Sequence, residues 1–445
     1  MKWVFLLGLL VFTPWLAMHL KAQPRHLPYA GFAIGILPFL LSGFNLTASP
    51  ISWSHWSGAV KGIDISLLDG VALAVLFATK PARTPASLKA AFAIYALAVA
   101  VSTIAGSPGA RLASVFYAWQ IARAALVYVA VSRATVTHPK VAVAVVMGLG
   151  TGLGLQALVA LEEHLGGVSQ AGGMFGHQNL LGMASHFAVF PAVALVLAGQ
   201  YTKQATAIVV AGLVVAFTGG SRATIGLFAI GLVITLCLSL WRKSTGRKTA
   251  VAAGLFVALL ASLPVLYTAI ERRSDETRAN SSLERRLMIS AAKMIITDHP
   301  LGIGPNRYVV VANVGGYSDR AGVPWDQANR AAPVHNTYYL VTAEMGWIGL
   351  LGLLALYGSI LALGLRTIRG GSSGVHGELP VGLTATMIVL AAHSYFEWIT
   401  MYFHIHYLLA ISVGLLIGLR QGAAAQRRRV RRVPMPSVEL ARSGA

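Results

Sequence analysis

Residues 333–352, "PVHNTYYLVTAEMGWIGLLG", open on a polar entry and pass without a pause into an apolar run that continues to about residue 365. A run of about 20 apolar residues is long enough to cross a bilayer as a helix. The segment before it, 271–335, is the one long hydrophilic stretch in the interior of the chain. His335 and Asn336 therefore stand where a polar loop re-enters an apolar phase. A histidine there can cap a helix, pack at an interface or accept a proton, and the rest of the sequence has to choose.

The chain has 445 residues, 56% hydrophobic and 11% charged, with a mean hydropathy of +0.67. A soluble domain carries about 25% charged residues. So few charges cannot cover a water-facing surface, and most of the chain must face lipid. Hydrocarbon offers the backbone no hydrogen bonds, so spanning segments are helices or closed barrels. The apolar runs are of helix length, not the short alternating strands of a barrel. They fall near 3–20, 29–46, 64–79, 86–106, 110–132, 139–161, 178–199, 203–219, 222–241, 248–270, 336–365, 380–396 and 400–419.

The expected fold is thus an all-α polytopic membrane protein with about 12 (12–13) transmembrane helices and one long loop that contains helices. The count is open among the first three runs, where "ISWSHWSG" (51–58) reads as a Trp-rich interfacial segment. The organisation follows: N-terminal transmembrane helices 1–270, the loop 271–335, C-terminal transmembrane helices 336–420 and a basic tail 421–445. The N-terminal "MKWVFLLGLLVFTPWLAMHLK" is expected to be a retained helix, since another apolar run follows almost at once.

The net charge is +20. The basic residues gather at segment ends and in the tail "QRRRVRRV", a pattern that points to the positive-inside rule and anionic headgroups, not to nucleic acid. The clusters Lys80/Arg83/Lys89, Arg242–Lys248, Arg366/Arg369 and Arg427–Arg432 are expected in the cytoplasm. The stretch 271–335 and the loops near 162–177 and 219–222 then lie on the opposite side. The lone cysteine, Cys237, excludes an intrachain disulfide. "GLGTGLG" (148–154) mimics a dinucleotide fingerprint, but no strand precedes it, and close helix packing is the better reading.

Within the loop, "SSLERRLMISAAKMIITDHPLGIGP" reads as a surface helix. Ser281 and Glu284 suit a capping box. Leu287, Ala291, Met294 and Ile295 form an apolar stripe, while Arg286, Ser290 and Lys293 share a polar face. His299-Pro300 and the glycines after it end the helix.

Ionisable groups in or beside membrane segments are costly, which makes each one a functional candidate. Four groups converge on the side of the loop. "FGHQN" brings His177 and Asn179, "TGGSRAT" brings Arg222, "ERRLM" brings Arg285 and Arg286, and "PVHNTYY" brings His335 and Asn336. Glu397 lies on the same side, between the last two runs. Arginine grips phosphate oxygens with a planar fork, and neutral imidazole accepts a proton. Together they suit attack by a hydroxyl on a sugar whose leaving group is a lipid diphosphate. Each residue has a plainer use as well. Arg222 can snorkel. Arg285 and Arg286 can bind headgroups or pair with Glu284. His335 can pack at a helix end, and His177 and Asn179 can satisfy helix-end amides. His404 and His406 form a His-x-His pair, but no third ligand accompanies them. No Asp-x-Asp or His-Glu-x-x-His is present, so no metal or other cofactor is expected.

The ordered motifs "MFGHQNLLGM", "GGSRATIGL", "RRLMISAAKMIITDHPLGIGPNRY" and "HNTYYLVTAEMGWIGLL" resemble the O-antigen ligase and polymerase superfamily over residues 140–420. The resemblance implies a bacterial inner-membrane glycosyltransferase of GT-C-like type, multi-pass, with its active site facing the periplasm. It implies transfer of O-antigen from undecaprenyl diphosphate to the lipid A–core oligosaccharide during lipopolysaccharide maturation. With no acidic metal motif and one displacement by the acceptor, the transfer is expected to need no metal ion and to invert the anomeric configuration. It implies His335 as the acceptor-activating base, with Arg222 and Arg286 on the diphosphate. An aromatic residue common four positions after the loop arginine is Ser290 here, which leaves Arg285 and Arg286 both as candidates. The expected partners are the lipid-linked glycan, lipid A–core and membrane lipids, with no nucleic acid. A polymerase or protein O-oligosaccharyltransferase of the same superfamily is the alternative. A flippase or transporter is the alternative from another class, and it predicts mid-helix charges and an inverted repeat.

Overall fold

The computed structural model describes residues 2–254, 257, 260, 275–370, 374–398 and 402–432. For residues 275–281, 327–328 and 426–432 it describes the backbone alone. Among the described residues, ten helices are long and apolar enough to cross a membrane. They are α1 (Lys2–Ala22), α4 (Ala86–Ala105), α5 (Arg111–Thr137), α6 (Val141–Leu165), α7 (Gln178–Ala198), α8 (Thr202–Gly219), α9 (Arg222–Arg242), α12 (Thr337–Arg369), α13 (Val375–His393) and α14 (Phe403–Arg432). Two shorter apolar helices, α2 (Leu27–Leu40) and α3 (Leu67–Ala78), flank a hairpin of β1 (Thr47–Ser52) and β2 (Gly62–Ser66). The loop supplies α10 (Asp275–Asp298) and α11 (Tyr308–Val314).

Of the 12–13 expected crossings, ten are seen among the described residues. The runs 29–46 and 64–79 give α2 and α3, of 14 and 12 residues, which are short for a membrane crossing. The run 248–270 lies largely outside the described residues. The expectation of an all-helical fold is also corrected at one place, because the Trp-rich segment turns between two antiparallel strands. Thr47 pairs with Ser66 and Ser52 with Gly62, with an irregularity between Ala48 and Ile51. Pro50 sits in that irregularity, where its missing N–H costs no ladder bond. Trp56 is buried, and its indole N–H donates to the Asn306 carbonyl at 3.1 Å.

α7 is the hub of the bundle. Nearly all of its residues are buried, and Phe187, Ala188, Phe190 and Leu195 have no exposed surface. α2 and α6 approach to backbone contact. A Cβ on Gly35 would lie 2.2 Å from the Val145 carbonyl oxygen, and one on Gly148 would lie 2.2 Å from that of Phe32. Gly148, Gly150 and Gly152 thus serve helix packing, whereas Gly154 faces open space.

α10 meets its expected polar face, with Arg286, Ser290 and Lys293 exposed. Its buried face is Met288, Ala291, Ala292 and Ile295, packed with Tyr308, Leu340 and Val341. The helix is docked on protein as well as bordering the surface. It starts by Asp275, so Ser281 lies inside it and is not its N-cap. A capping box at Ser281–Glu284 is therefore corrected, and the Ser281 side chain lies outside the described ones.

α12 is broken at Gly346, whose φ of 65° is left-handed. The chain after α10 fills the break. Ile303 N–H donates to Ala343 O at 3.1 Å and Gly304 N–H to Glu344 O at 2.8 Å. The buried Glu344 carboxylate also accepts from the backbone N–H groups of Arg307 and Tyr308, each at 2.9 Å, at the N-terminus of α11. Asn306 ties the same segment to the hairpin and α5 through Val60 and Ala113. The long loop is in this way fastened to the helix that follows His335.

Candidate active site

The residues that begin α7, α9 and α12 and that follow α13 meet at one end of the bundle, the end carrying α10. His177 caps α7, its Nδ1 accepting from Leu180 N–H at 3.4 Å. Asn336 caps α12, its Oδ1 accepting from the N–H groups of Tyr338 and Tyr339 at 3.0 and 3.1 Å. Both satisfy amides that a helix start leaves open. Asn336 also donates from Nδ2 to the Tyr395 carbonyl at 3.0 Å, so the cap is fixed to the turn after α13. Thr337 donates from its N–H to Ser394 O at 2.8 Å and from its hydroxyl to Glu397 O at 2.5 Å.

This bracing places Glu397 at the centre. One carboxylate oxygen faces His335 Nδ1 at 3.2 Å. The other accepts from Asn179 Nδ2 at 2.8 Å and lies 3.4 Å from an Arg285 guanidinium nitrogen. Arg285 further donates to the Phe396 carbonyl at 2.9 Å. Glu397 is buried, with its side chain 6% exposed, whereas His335 keeps 22% of its side chain open. Burial alone would raise the Glu397 carboxyl. The hydrogen bond from His335 and the nearby charges of His335 and Arg285 outweigh it and hold the group below the usual carboxylate range.

An ionised carboxylate only accepts, so His335 Nδ1 must carry the hydrogen and donate it. In the neutral form of the ring, Nε2 then holds the lone pair. A proton taken up there creates an imidazolium that Glu397 stabilises. Burial lowers the His177 imidazole, with Glu397 opposing and His335 adding to the shift. The shift favours the neutral ring, the form that can accept at the cap.

Arg222 and Arg286 are both exposed, and neither makes an ion pair or side-chain hydrogen bond among the described residues. Arg222 is the first residue of α9, after the Ser221 cap. Thr224, two residues along, packs on Gly182 of α7, so the start of α9 stands beside the start of α7. The structure thus joins His335, Glu397, Asn179 and Arg285 directly, uses His177 and Asn336 as caps, and leaves Arg222 and Arg286 as open cations at the same end. Position within the polar row favoured Arg286 over Arg285, but it is Arg285 that reaches Glu397. Glu397 itself was legible only as an acidic residue between two apolar runs; its bonds to three separate elements were not.

His404 and His406 do not act together. His404 Nε2 bonds Ser42 Oγ at 2.8 Å, while His406 Nδ1 bonds the Gln120 amide at 2.9 Å. Among the described residues no three His, Cys, Asp or Glu side chains are grouped as metal ligands.

The chain is a multi-pass helical membrane protein with a cationic, histidine-bearing site at one end of its bundle. Residues 207–354 match a family model described as O-antigen ligase, which supports the O-antigen ligase superfamily that the motifs resemble. The matched segment contains Arg222, Arg285, Arg286, His335 and Asn336. Asn179 and Glu397 come from either side of it. No curated protein matches the chain.

Proposed function

We propose that the protein is an O-antigen ligase, a glycosyltransferase that moves a glycan from undecaprenyl diphosphate to lipid A–core oligosaccharide. The observation that carries the reading is the His335–Glu397 pair, in which Nδ1 of His335 faces the Glu397 carboxylate at 3.2 Å and Nε2 has no bonding partner among the described residues. Nε2 takes the proton of the incoming hydroxyl as that oxygen attacks the anomeric carbon. The glycosidic C–O bond to the lipid diphosphate breaks, and the electron pair leaves with the diphosphate. Arg222 and Arg286, free of protein counter-ions among the described residues, bind the phosphate oxygens and stabilise the charge that grows there. Arg285 is engaged by Glu397 and orients it. One displacement inverts the anomeric configuration, and the residues named supply the chemistry without a metal ion.

The basic residues at the other end of the bundle support an orientation in the inner membrane with the site facing the periplasm. The match to the family model is equally compatible with a polymerase, which differs in the acceptor. The deciding experiment incubates the purified protein with undecaprenyl-diphosphate glycan and either lipid A–core or a second lipid-linked glycan, with EDTA present. Joined lipid A–core product of inverted configuration is expected. Product only with the second glycan assigns a polymerase. Retained configuration, or activity restored only by magnesium, refutes the mechanism. Sidedness is read by thiol labelling of Arg320→Cys in a Cys237→Ser background. Modification before the inner membrane is permeabilised is expected, and modification only afterwards reverses the orientation.

A further inference from the structure

At the end of the bundle opposite His335, the last turns of α7, α9 and α12 and the start of α13 enclose an open basin of about 650 Å³. Five cations line it, namely Arg242, Lys243, Arg247, Lys248 and Arg369, against a single carboxylate, Glu378. Glu378 is buried and already committed. It pairs with Arg242, lies 2.6 Å from Lys248 Nζ and accepts from Ser239 Oγ at 2.9 Å. Among the described residues, no carboxylate reaches Lys243, Arg247 or Arg369.

Clusters of Lys and Arg at helix ends commonly serve only to orient a protein in the membrane, and such side chains wave in water. Two of these are held in place instead. Arg247 donates from Nε to the Val196 carbonyl at 3.1 Å and from a terminal nitrogen to Thr202 Oγ1 at 3.2 Å. The Arg369 guanidinium lies over the Trp241 ring, 5.1 Å from its centroid. Trp241 is exposed at the end of α9, as an interfacial aromatic would be. A concave, preorganised basin with three uncompensated cations at the water–lipid boundary is a receptor for an anion.

We propose that this basin binds an anion bearing two phosphate groups, the headgroup of an anionic lipid in the adjoining leaflet or a soluble diphosphate. The site is distinct from the one built on His335, and the proposal is independent of the reaction assigned there. Two phosphate charges match the uncompensated cations and leave Glu378 with its own partners. The basin opens beside Trp241 at the helix ends, where a lipid headgroup can enter while its chains remain in the bilayer.

The full-length protein, purified in detergent, is titrated with diphosphatidylglycerol, phosphatidylcholine or inorganic pyrophosphate, and bound ligand is counted by native mass spectrometry. Preferential retention of diphosphatidylglycerol is expected, with affinity falling at least about tenfold in Lys243→Gln/Arg247→Gln/Arg369→Gln, the loss of roughly one charge-assisted contact. Lys243→Gln alone removes an exposed side chain without a bonding partner among the described residues, and an intermediate loss in that variant separates binding from folding. Pyrophosphate bound with the same dependence on the three residues, and no lipid, assigns the soluble source. Equal retention of both lipids together with no pyrophosphate binding, or ligand binding unchanged in both variants, overturns the proposal.

Discussion

Replacing Glu397 by Gln keeps the shape of the site and removes one charge. In the native site the carboxylate accepts from His335 Nδ1 at 3.2 Å and Asn179 Nδ2 at 2.8 Å and faces Arg285 at 3.4 Å. An amide has one acceptor oxygen and one donor nitrogen. If its oxygen keeps Asn179 and Arg285, its NH2 must face His335, where Nδ1 then becomes the acceptor. The imidazole hydrogen moves to Nε2, and the atom assigned to take the hydroxyl proton is already protonated. The imidazolium formed in any residual reaction also loses its counter-ion. General base catalysis is worth about 10²–10⁴-fold, and each tenfold is about 1.4 kcal/mol. Transfer is therefore expected to fall by about 10²–10⁴-fold, or roughly 3–5 kcal/mol. The assay is joined glycan formed per minute by purified protein, with binding of the lipid-diphosphate donor measured in parallel. Donor binding should stay close to wild type, because Arg222 and Arg286 do not depend on Glu397. The double variant Glu397→Gln/His335→Ala should be no slower than His335→Ala, since the two residues act as one unit. Transfer within threefold of wild type in Glu397→Gln, or additive losses in the double variant, refutes the assignment.

Arg222→Ala and Arg286→Ala should each lower transfer by about 10²–10³-fold, the usual cost of losing one donor to developing charge. Lysine should rescue poorly for want of the fork, and full activity in both alanine variants would sink the phosphate role. The lowered His177 imidazole makes the unfolded chain bind the extra proton first, so stability should rise with pH through the window below the ordinary histidine value of about 6.5. His177→Asn retains an N-cap and should flatten the pH dependence of thermal unfolding between pH 5 and 7; an unchanged slope would count against the lowered imidazole. Gly346→Ala forces a side chain at φ 65° and puts its Cβ 2.5 Å from the Pro300 carbonyl oxygen. The backbone conformation alone should cost about 1–3 kcal/mol, read as a lower unfolding temperature, and a variant as stable as wild type would mean that the break tolerates a Cβ.

The sequence by itself determined that this chain lives in a membrane. Its scarcity of charge and its runs of helix length leave the backbone no other way to satisfy its hydrogen bonds in lipid. It also marked His335, Arg222 and the loop arginines, because a titratable group beside hydrocarbon is costly and stands out in an apolar run. What it could not show was which of these groups touch. The α2–hairpin–α3 unit was hidden because an apolar run has the same look whether it crosses a bilayer or folds as a short buried helix. Arg285 and Arg286 are adjacent, and only the rotation of α10, set by Met288, Ala291 and Ile295 packing inward, turns Arg285 to Glu397 and leaves Arg286 to solvent. Asn179 and Glu397 are 218 residues apart, so their 2.8 Å contact depends on how α7 and α13 pack and on the turn that Asn336 and Thr337 brace. Long-range proximity of this kind leaves no periodic trace in a single chain; it is decided by close packing in three dimensions.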